Sequence, residues 1–571
     1  MKNILSCSIL IIIWEIGFTV PAKQKIPQKP DFGVILNEDG DFSFMSPDPV
    51  LATSILRANV DATAALGIKT YVFCVGAGSG GLYYPTKVGS EFGWRKTKYE
   101  DEDDGDGWRA RTENARKFLK AGLSVVKIVG DEAKKNGMFF IPSMRMNDDH
   151  FMFDPFNYPL TPKFWLDNYD KFTIKNSPVA FSKEEGNLYG NLLDYTHPEV
   201  RNYMFAIINE VIGLNKNRID GFELDFNRVQ VFFPKNMALK GYSLMTDLVH
   251  KVRNRLDEVA KEQRRPMYLF VRIPPSEEAC EWAGLDIYTW MKEGLVDLVS
   301  PSQLMTLAYD MPIFKLTKTA KKYRVQMYPS IYPRTSYRVP FIPSADDLGM
   351  GGNFNRNATL PETLAAAANY RLMGVDGYYL FNYYGPDEGL RPYPNWMYTL
   401  VASLKQKKTN AADKVFGITK TYYHDDKEPS YSYIKQLPRQ VKDSATFNLI
   451  IGELPSESPF TTTTLALRLG LRNPKGIPLQ INLNGKKLDY WQRRSDHSSL
   501  NHGNLPQDMA QYSFVYAIND LSQLRLGNNK IHVVIDSATV TDIEIGYAYY
   551  NKLSLLMTGK EPPQLNSNWQ L

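Results

Sequence analysis

The chain has 571 residues with 67 Lys and Arg against 62 Asp and Glu, a net charge of +5, and 43% of its residues are hydrophobic. This composition excludes a disordered chain, and interspersed charges without a basic tract argue against a nucleic-acid partner. The length predicts two domains, of which one is large.

The N-terminus has the composition of a signal peptide, which we predict over residues 1–22. Lys2 precedes the apolar run 4–14, and Val20-Pro21-Ala22 offers small residues at a cleavage point. The apolar run is too short to span a bilayer. We therefore expect a secreted or periplasmic protein without a membrane segment after cleavage, with an uncleaved anchor as the alternative.

From residue 31 to residue 405, short apolar segments alternate with amphipathic stretches. Eight such units predict a (β/α)₈ TIM-type barrel of class α/β. The strand candidates are 33–36, 70–75, 138–143, 219–225, 267–272, 295–300, 324–330 and 377–382. The helical stretches between them include 116–135, 198–214, 236–261 and 360–372. A doubly wound open sheet is the alternative, but no phosphate-binding glycine pattern follows a strand to favour it.

After Lys405 the pattern changes to short strand-like segments separated by turn residues. These segments are 445–451, 463–469, 478–483, 530–535 and 540–546. They predict an antiparallel, jelly-roll-like β-sandwich over residues 415–555 as an accessory domain. Its spacing resembles galactose-binding-like jelly rolls, although a purely structural sandwich fits the pattern equally well.

The fourth strand candidate carries the most informative residues of the chain. Side chains alternate along a strand, so Glu223 and Asp225 share one face with Gly221, opposite the apolar residues between them. That face must point into the barrel, where unpaired carboxylates are costly, so both must be paired, hydrogen-bonded or reactive. Asp225 is nearer the C-terminal end of the strand, where barrel enzymes build their active sites.

Two arginines stand on the strands that flank the fourth. Arg145 follows the third strand candidate and Arg272 ends the fifth. We predict that Glu223 is held ionised between the two guanidiniums, with a low pKa, and that Asp225 is free to act above it. The long second and third connections, 76–114 and 148–195, are expected on the same C-terminal face.

Four separated runs, in this order, resemble those of a large group of bacterial glycoside-hydrolase-like barrel proteins of unsettled substrate. They are 143–150 (SMRMNDDH), 194–201 (DYTHPEVR), 220–228 (DGFELDFNR) and 284–297 (GLDIYTWMKEGLVD). The resemblance extends over about residues 31–400 and implies a barrel with glycosidase activity. The fourth strand also resembles that of barrel glycosidases whose terminal Asp is the nucleophile, which implies this role for Asp225. Those enzymes often carry Arg where this chain has Glu223, which leaves the mechanism open.

These features together predict a glycoside hydrolase that acts on an extracellular or periplasmic polysaccharide or glycan through carboxylates. The candidate catalytic residues are Asp225, Glu223 and Asp148. Asp148 is preferred as the second carboxylate of the reaction, and the alternatives are Asp149, Glu277, Glu278 and Glu38. The candidate substrate-binding residues are Arg145, Asn147, His150, Asn227, Arg228, Arg272, Tyr332, Asn382 and Tyr384.

The sequence predicts no cofactor and no metal site, because it contains no zinc motif, P-loop or serine-hydrolase elbow. The expected partner is a carbohydrate substrate, and the oligomeric state, the sugar and the linkage are not predicted. Two other functions stay open: a glycan-binding barrel without catalysis, and another carbohydrate-active enzyme such as a lyase.

Overall fold

The computed structural model describes the greater part of the chain from residue 30 onwards. The described residues are 30–77, 80–101, 108–148, 154–175, 189–234, 237–303, 306–336, 355–383, 393–406, 413–420, 433–455, 463–476, 478–495 and 509–549. The predicted signal peptide lies outside them. Within these ranges, no helix is both long and apolar enough to cross a membrane.

The N-terminal part contains all eight predicted strands, with ends shifted by a few residues. They are β1 (Val34–Glu38), β2 (Thr70–Cys74), β3 (Phe139–Arg145), β4 (Gly221–Asp225), β5 (Tyr268–Ile273), β6 (Leu298–Pro301), β7 in two pieces (Gln326–Met327 and Ser330–Ile331) and β8 (Tyr378–Phe381). Two small antiparallel pairs join the segments Gly76–Ala77 with Gly80–Leu82 and Arg334–Ser336 with Asn355–Asn357.

The eight strands form one parallel sheet that curls back on itself. Neighbours pair in chain order from β1 to β6, and β8 pairs with β1. The first piece of β7 bonds with β6 and its second piece bonds with β8, so this strand joins the two edges of the sheet. The arrangement is a TIM-like α/β domain, which excludes the open doubly wound sheet.

Helices connect and cover the strands. They are α1 (Pro49–Ala65), α2 (Lys98–Asp101), α3 (Trp108–Lys120), α4 (Val125–Lys135), α5 (Lys163–Asn168), α6 (Pro198–Asn215), α7 (Ala238–Gln263), α8 (Glu277–Trp282), α9 (Ile287–Lys292), α10 (Phe314–Tyr323), α11 (Leu360–Leu372) and α12 (Asn395–Leu404). The predicted helix 116–135 is two helices, because Gly122 takes the left-handed conformation (φ +73°) and Ser124 caps the start of α4.

The alternation along the strands separates two apolar clusters. On β2, for example, Val72 belongs to an inner cluster, whereas Tyr71 and Phe73 belong to the layer between sheet and helices. The inner cluster fills the inside of the curled sheet and consists of Phe32, Ile35, Val72, Ile141, Phe270, Leu298, Tyr328, Tyr332, Tyr379 and Phe381. Glu223 and Asp225 point to this inner side, because their neighbours Phe222 and Leu224 belong to the outer layer.

The C-terminal part is antiparallel, but it is not the predicted sandwich of two sheets. Its strands are β9 (Lys414–Gly417), β10 (Arg439–Ile451), β11 (Thr463–Lys475), β12 (Gln480–Leu483), β13 (Lys486–Lys487), β14 (Asp489–Ser495), β15 (Tyr512–Ala517) and β16 (Gly527–Tyr549). The segments predicted at 530–535 and 540–546 belong to the single 23-residue strand β16, which pairs with β9, β10, β11 and β12. Because the single strand β16 pairs with all four of these strands, the C-terminal sheet is continuous and barrel-like.

The two parts share helix α11. The residues from Pro361 to Tyr370 on this helix are all buried. Gly452, just after β10, lies against the backbone of Ala368, and Arg371 of α11 pairs with Glu453 at 3.0 Å. The C-terminal sheet therefore completes the burial of a helix that belongs to the TIM-like domain.

Candidate active site

The register of the parallel strands determines which charged residues become neighbours. Asp225 of β4 lies in register with Arg145 of β3 and with Arg272 of β5. Glu223, two residues earlier, lies in register with Ser143 and Phe270. The row nearest the C-terminal ends of these strands is therefore arginine, aspartate, arginine, and the row below it contains the glutamate without a flanking cation.

Asp225 is bound from two directions and is only 3% exposed. Its Oδ2 accepts a hydrogen bond from the Arg272 guanidinium at 2.7 Å, and its Oδ1 accepts one from the backbone N–H of Asn227 at 2.9 Å. Arg272 is itself fully buried, donates to the hydroxyl of Ser302 at 3.1 Å and lies 3.9 Å above the ring of Phe381. This is a charge-assisted pair in a fixed geometry.

The hydrogen-bond partners of Glu223 are uncharged side chains. Its Oε1 accepts hydrogen bonds from Ser143 at 2.7 Å and from Tyr379 at 2.9 Å. Its Oε2 is buried and has no hydrogen-bond partner among the described residues. Burial, together with the nearby charge of Asp225, raises the pKa of Glu223 to about 7, against the lowering effects of Ser143, Arg272 and Tyr379.

The predicted arrangement of Glu223 between two arginines is therefore wrong. Arg272 contacts Asp225, and Arg145 contacts other carboxylates, so it is Asp225 and not Glu223 that forms the buried ion pair. The physical reason is the register: the positions of the arginines on their strands place them level with Asp225. The pKa of Glu223 is raised and not lowered.

Arg145 joins two further aspartates at the C-terminal ends of β1 and β3. Its guanidinium lies 2.5 Å from Asp39 and 3.1 Å from Asp148. Asn382 also donates to Asp39, at 2.6 Å. Burial opposes ionisation of Asp39, but the charge of Arg145 and the hydrogen bonds from Asn382 and Arg145 outweigh it and lower the pKa of Asp39. These contacts bring Asp148 and Asn382, both predicted site residues, to one cluster.

Sequence reasoning missed Asp39 and considered its neighbour Glu38 instead. The carboxylate of Glu38 accepts a hydrogen bond from Tyr71, which belongs to the outer layer between sheet and helices. The alternation along β1 contained the missing signal, because Ile35 belongs to the inner cluster and every second residue after it, through position 39, points the same way.

The remaining candidates for the second carboxylate lie elsewhere or outside the described residues. Glu277 and Glu278 are in the first turn of α8, and Ser276 caps that helix. Their carboxylates pair with Lys315 and Lys435 respectively. Asp149 lies outside the described residues, as do the predicted substrate-binding residues His150 and Tyr384.

The other predicted binding residues surround the same end of the sheet. Asn147 donates from its amide to the carbonyls of Leu193 and Val231, so it ties two loops together. The side-chain oxygen of Asn227 accepts from Gln230 at 2.8 Å, and the charge of Arg228 contributes to the lowered pKa of Asp39. Tyr332 stacks on Phe381 with ring centroids 5.8 Å apart.

The carboxylates that the structure describes at the mouth have guanidinium partners. Among the residues that the structure describes, no group of three or more His, Cys, Asp or Glu side chains could hold one. One oxygen of each of Asp39, Asp148 and Asp225 is paired with a guanidinium.

Fold and site together define a TIM-like α/β protein with a buried carboxylate–arginine cluster at the C-terminal ends of its strands. No protein-family model matches the sequence, and no curated protein sequence matches it.

Several solved structures that resemble the chain are glycosidases. An endo-β-1,4-mannanase from Thermotoga petrophila has 10% identity and a TM-score of 0.40, with 90% of this chain and 98% of that chain covered. A noncanonic maltogenic α-amylase from Thermotoga neapolitana has 12% identity and a TM-score of 0.33, covering 87% and 98%. An α-L-fucosidase isoenzyme from Paenibacillus thiaminolyticus has 13% identity and a TM-score of 0.32, covering 88% and 96%.

Proposed function

We propose that the protein is a glycoside hydrolase that cleaves a polysaccharide or glycan at the C-terminal end of its curled sheet. One observation carries the proposal: two buried carboxyl groups on the inner face of one strand have different surroundings at the C-terminal end of the sheet. Asp225 is held by Arg272 and a backbone N–H, while burial raises the pKa of Glu223 to about 7. A buried carboxyl with a strongly raised pKa, next to a second carboxylate in a fixed geometry, is typical of acid–base sites.

In this proposal Asp225 is the ionised carboxylate that approaches the anomeric carbon of the sugar. The contacts with Arg272 and the N–H of Asn227 fix both of its oxygens. Glycoside hydrolysis by paired carboxyls also requires a group that protonates the leaving oxygen. Asp148, which lies 3.1 Å from Arg145 at the mouth, is the preferred candidate for this role, and Glu223, whose pKa burial raises to about 7, is the alternative.

The proposal extends to the predicted cellular location. The N-terminal sequence of residues 1–22 supports secretion or transfer to the periplasm, where a polysaccharide substrate would be met.

The test is a screen of the purified protein against a panel of polysaccharides, with reducing ends measured over time. Hydrolysis is expected to produce new reducing ends without absorbance in the near ultraviolet, whereas a lyase would give unsaturated products that absorb there. Asp225→Asn is the matched control and is expected to reduce the rate by at least about 10³-fold, the scale on which active-site groups contribute. No new reducing ends on any member of the panel would contradict the proposal.

A binding protein without catalysis is the second candidate. It is favoured by the near-complete pairing of the aspartates at the mouth with Arg145 and Arg272, a self-contained charge cluster that needs no reaction to explain it. Retention of the protein by a polysaccharide that it leaves uncleaved would select this candidate.

A further inference from the structure

Two aromatic side chains on the connection after β3 are about half exposed and pack against a buried tryptophan. Phe156 is 51% exposed and Tyr169 is 44% exposed. Their ring centroids are 4.9 Å apart with the planes at 86°. Both rings pack against Trp165, which is 1% exposed, at centroid distances of 5.5 and 5.6 Å. We call the exposed pair, Phe156 and Tyr169, the aromatic platform.

Hydrogen bonds hold the supports of the platform on both sides. The indole N–H of Trp165 donates to the carbonyl of Asn191 at 2.6 Å. Arg95 donates to the carbonyls of Phe156 at 2.9 Å, Pro155 at 3.3 Å and Tyr158 at 2.9 Å, so one guanidinium holds the turn that carries Phe156. Exposed rings that are already fixed lose little conformational entropy when a ligand covers them.

Hydrogen bonds and a short backbone segment link the support of the platform to the candidate active site. The segment that accepts the Trp165 hydrogen bond runs from Asn191 to Leu193, and the carbonyl of Leu193 accepts a hydrogen bond from Asn147. Asn147 comes two residues after Arg145 at the end of β3. A short chain of contacts therefore joins the platform to the mouth of the sheet, on the side where the substrate would enter.

The size and surroundings of the platform fit a sugar better than a protein. An aromatic side chain has about 150–250 Å² to bury, so two half-exposed rings offer about 200 Å², far below the roughly 800 Å² that each partner buries in a stable protein interface. A pyranose ring has an apolar C–H face that can cover one such aromatic ring, and its edges are polar. Asp154, two residues before Phe156, forms an ion pair with Lys98 at 2.6 Å, and both charged groups can form hydrogen bonds with sugar hydroxyls.

We propose that the aromatic platform is an outer subsite that binds sugar residues of a polymeric glycan beyond the bond that is cleaved. This inference rests on the proposed function, because it takes the glycan substrate from it. It deepens that function by requiring a substrate longer than one or two sugars. The platform contributes to binding of the polymer and not to the chemical step.

The test measures binding separately from turnover. The full chain carrying Asp225→Asn is run through native gels that contain galactomannan, amylose, xylan or fucoidan, with and without Tyr169→Ala or Phe156→Ala. The polymer that retards Asp225→Asn is expected to bind each platform variant about three- to tenfold more weakly, the scale of one lost aromatic contact. Tyr169→Leu, which keeps the apolar volume but removes the ring, guards against local unfolding of the Ala variant and is expected to weaken binding as well.

Phe314→Ala is the matched control, because Phe314 on α10 is 65% exposed but is no part of the platform. It is expected to bind like the parent. Equal retardation of the platform variants and the parent, or no retardation of the parent in any gel, would overturn the subsite. A concentration-dependent change of oligomeric state in Tyr169→Ala, with unchanged glycan binding, would assign the platform to a second copy of the chain and also overturn it.

Failure of the subsite and failure of the proposed function are distinguishable. If the platform variants lose polymer binding while the protein without substitutions cleaves nothing, the proposed hydrolysis fails and the platform stands as a glycan-binding site. If the parent cleaves the polymer and the platform variants show an unchanged KM for it, the subsite fails and hydrolysis stands.

Discussion

Asp225 forms a buried ion pair at the C-terminal end of β4. Its carboxylate is the ion-pair partner of Arg272, which is completely buried, so removing the charge leaves a buried guanidinium without its counter-ion. Breaking a buried pair costs about 3–5 kcal/mol, and we expect Asp225→Asn to lower the free energy of unfolding by an amount toward the lower end, because the amide oxygen can still accept a hydrogen bond. Asp167→Asn, which breaks the exposed pair with Lys163, is the control and should change stability by less than about 1 kcal/mol. Urea unfolding of both variants measures the difference, and equal stability would contradict the buried pair.

For Glu223 we expect the opposite effect on stability from that expected for Asp225. The folded protein raises its pKa from the ordinary value of 4.5 to about 7, so the protonated form is favoured by folding. Stability is therefore greatest below about pH 4.5 and is lost as the pH rises through 7, by about 3 kcal/mol in total. Glu223→Gln cannot ionise and escapes this loss. We expect the variant to be more stable than the parent at about pH 8, with the advantage largely gone at about pH 5.

Thermal unfolding of Glu223→Gln and the parent at these two pH values tests this prediction. If the variant is the less stable protein at both, Glu223 is ionised and held by cations, as the sequence alone suggested. Glu223 and Asp225 thus differ in their hydrogen-bond partners, although both side chains lie on the same face of β4.

At the scale of elements, the strands were predictable and their relative positions were not. Alternation of apolar residues is a local signal, and it located all eight strands. The register between β3, β4 and β5 is set by contacts distant in sequence, which is why the partner of Arg272 was assigned to Glu223 in place of Asp225. In the same way, no local signal indicated that the segment Gly527–Tyr549 is one strand shared by several neighbours.

Strand β4 also requires a glycine at its start. A Cβ on Gly221 would lie 2.1 Å from the carbonyl oxygen of Tyr268 on β5, so Gly221→Ala must push two paired strands apart. We expect a loss of at least about 1–3 kcal/mol in the free energy of unfolding and weaker activity, since β4 and β5 carry Asp225 and Arg272.

Gly213→Ala on α6 is the matched control for that substitution. The nearest atom outside the helix would be a guanidinium nitrogen of Arg255 at 3.9 Å, so there is room for the methyl group. Replacing a glycine inside a helix is expected to stabilise the protein by about 0.5–1 kcal/mol. Opposite signs for the two variants in urea unfolding support the packing of β4 on β5, and two losses of similar size speak against it.

At the scale of the whole molecule, the C-terminal sheet is part of the structural support of the TIM-like domain. Helix α11 is buried from Pro361 to Tyr370, and Glu453 pairs with both Arg371 and Lys414. We expect a chain that ends at Gln406 to lose cooperative unfolding and to aggregate, because one side of α11 would be exposed. Calorimetry of the shortened chain checks this, and a single sharp transition close to that of the full protein would show that the sheet is dispensable for folding.

The central claim is that Asp225 is the carboxylate that attacks the sugar, and chemical rescue tests it most directly. Asp225→Ala leaves space beside Arg272 for a small anion, so azide added to the variant can replace the missing nucleophile. With a polysaccharide that the parent cleaves, or an activated aryl glycoside, we expect hydrolysis by the variant to fall by at least about 10³-fold. Azide is expected to restore turnover and to give a glycosyl azide inverted at the anomeric carbon. Unchanged hydrolysis by Asp225→Ala without azide would contradict the account.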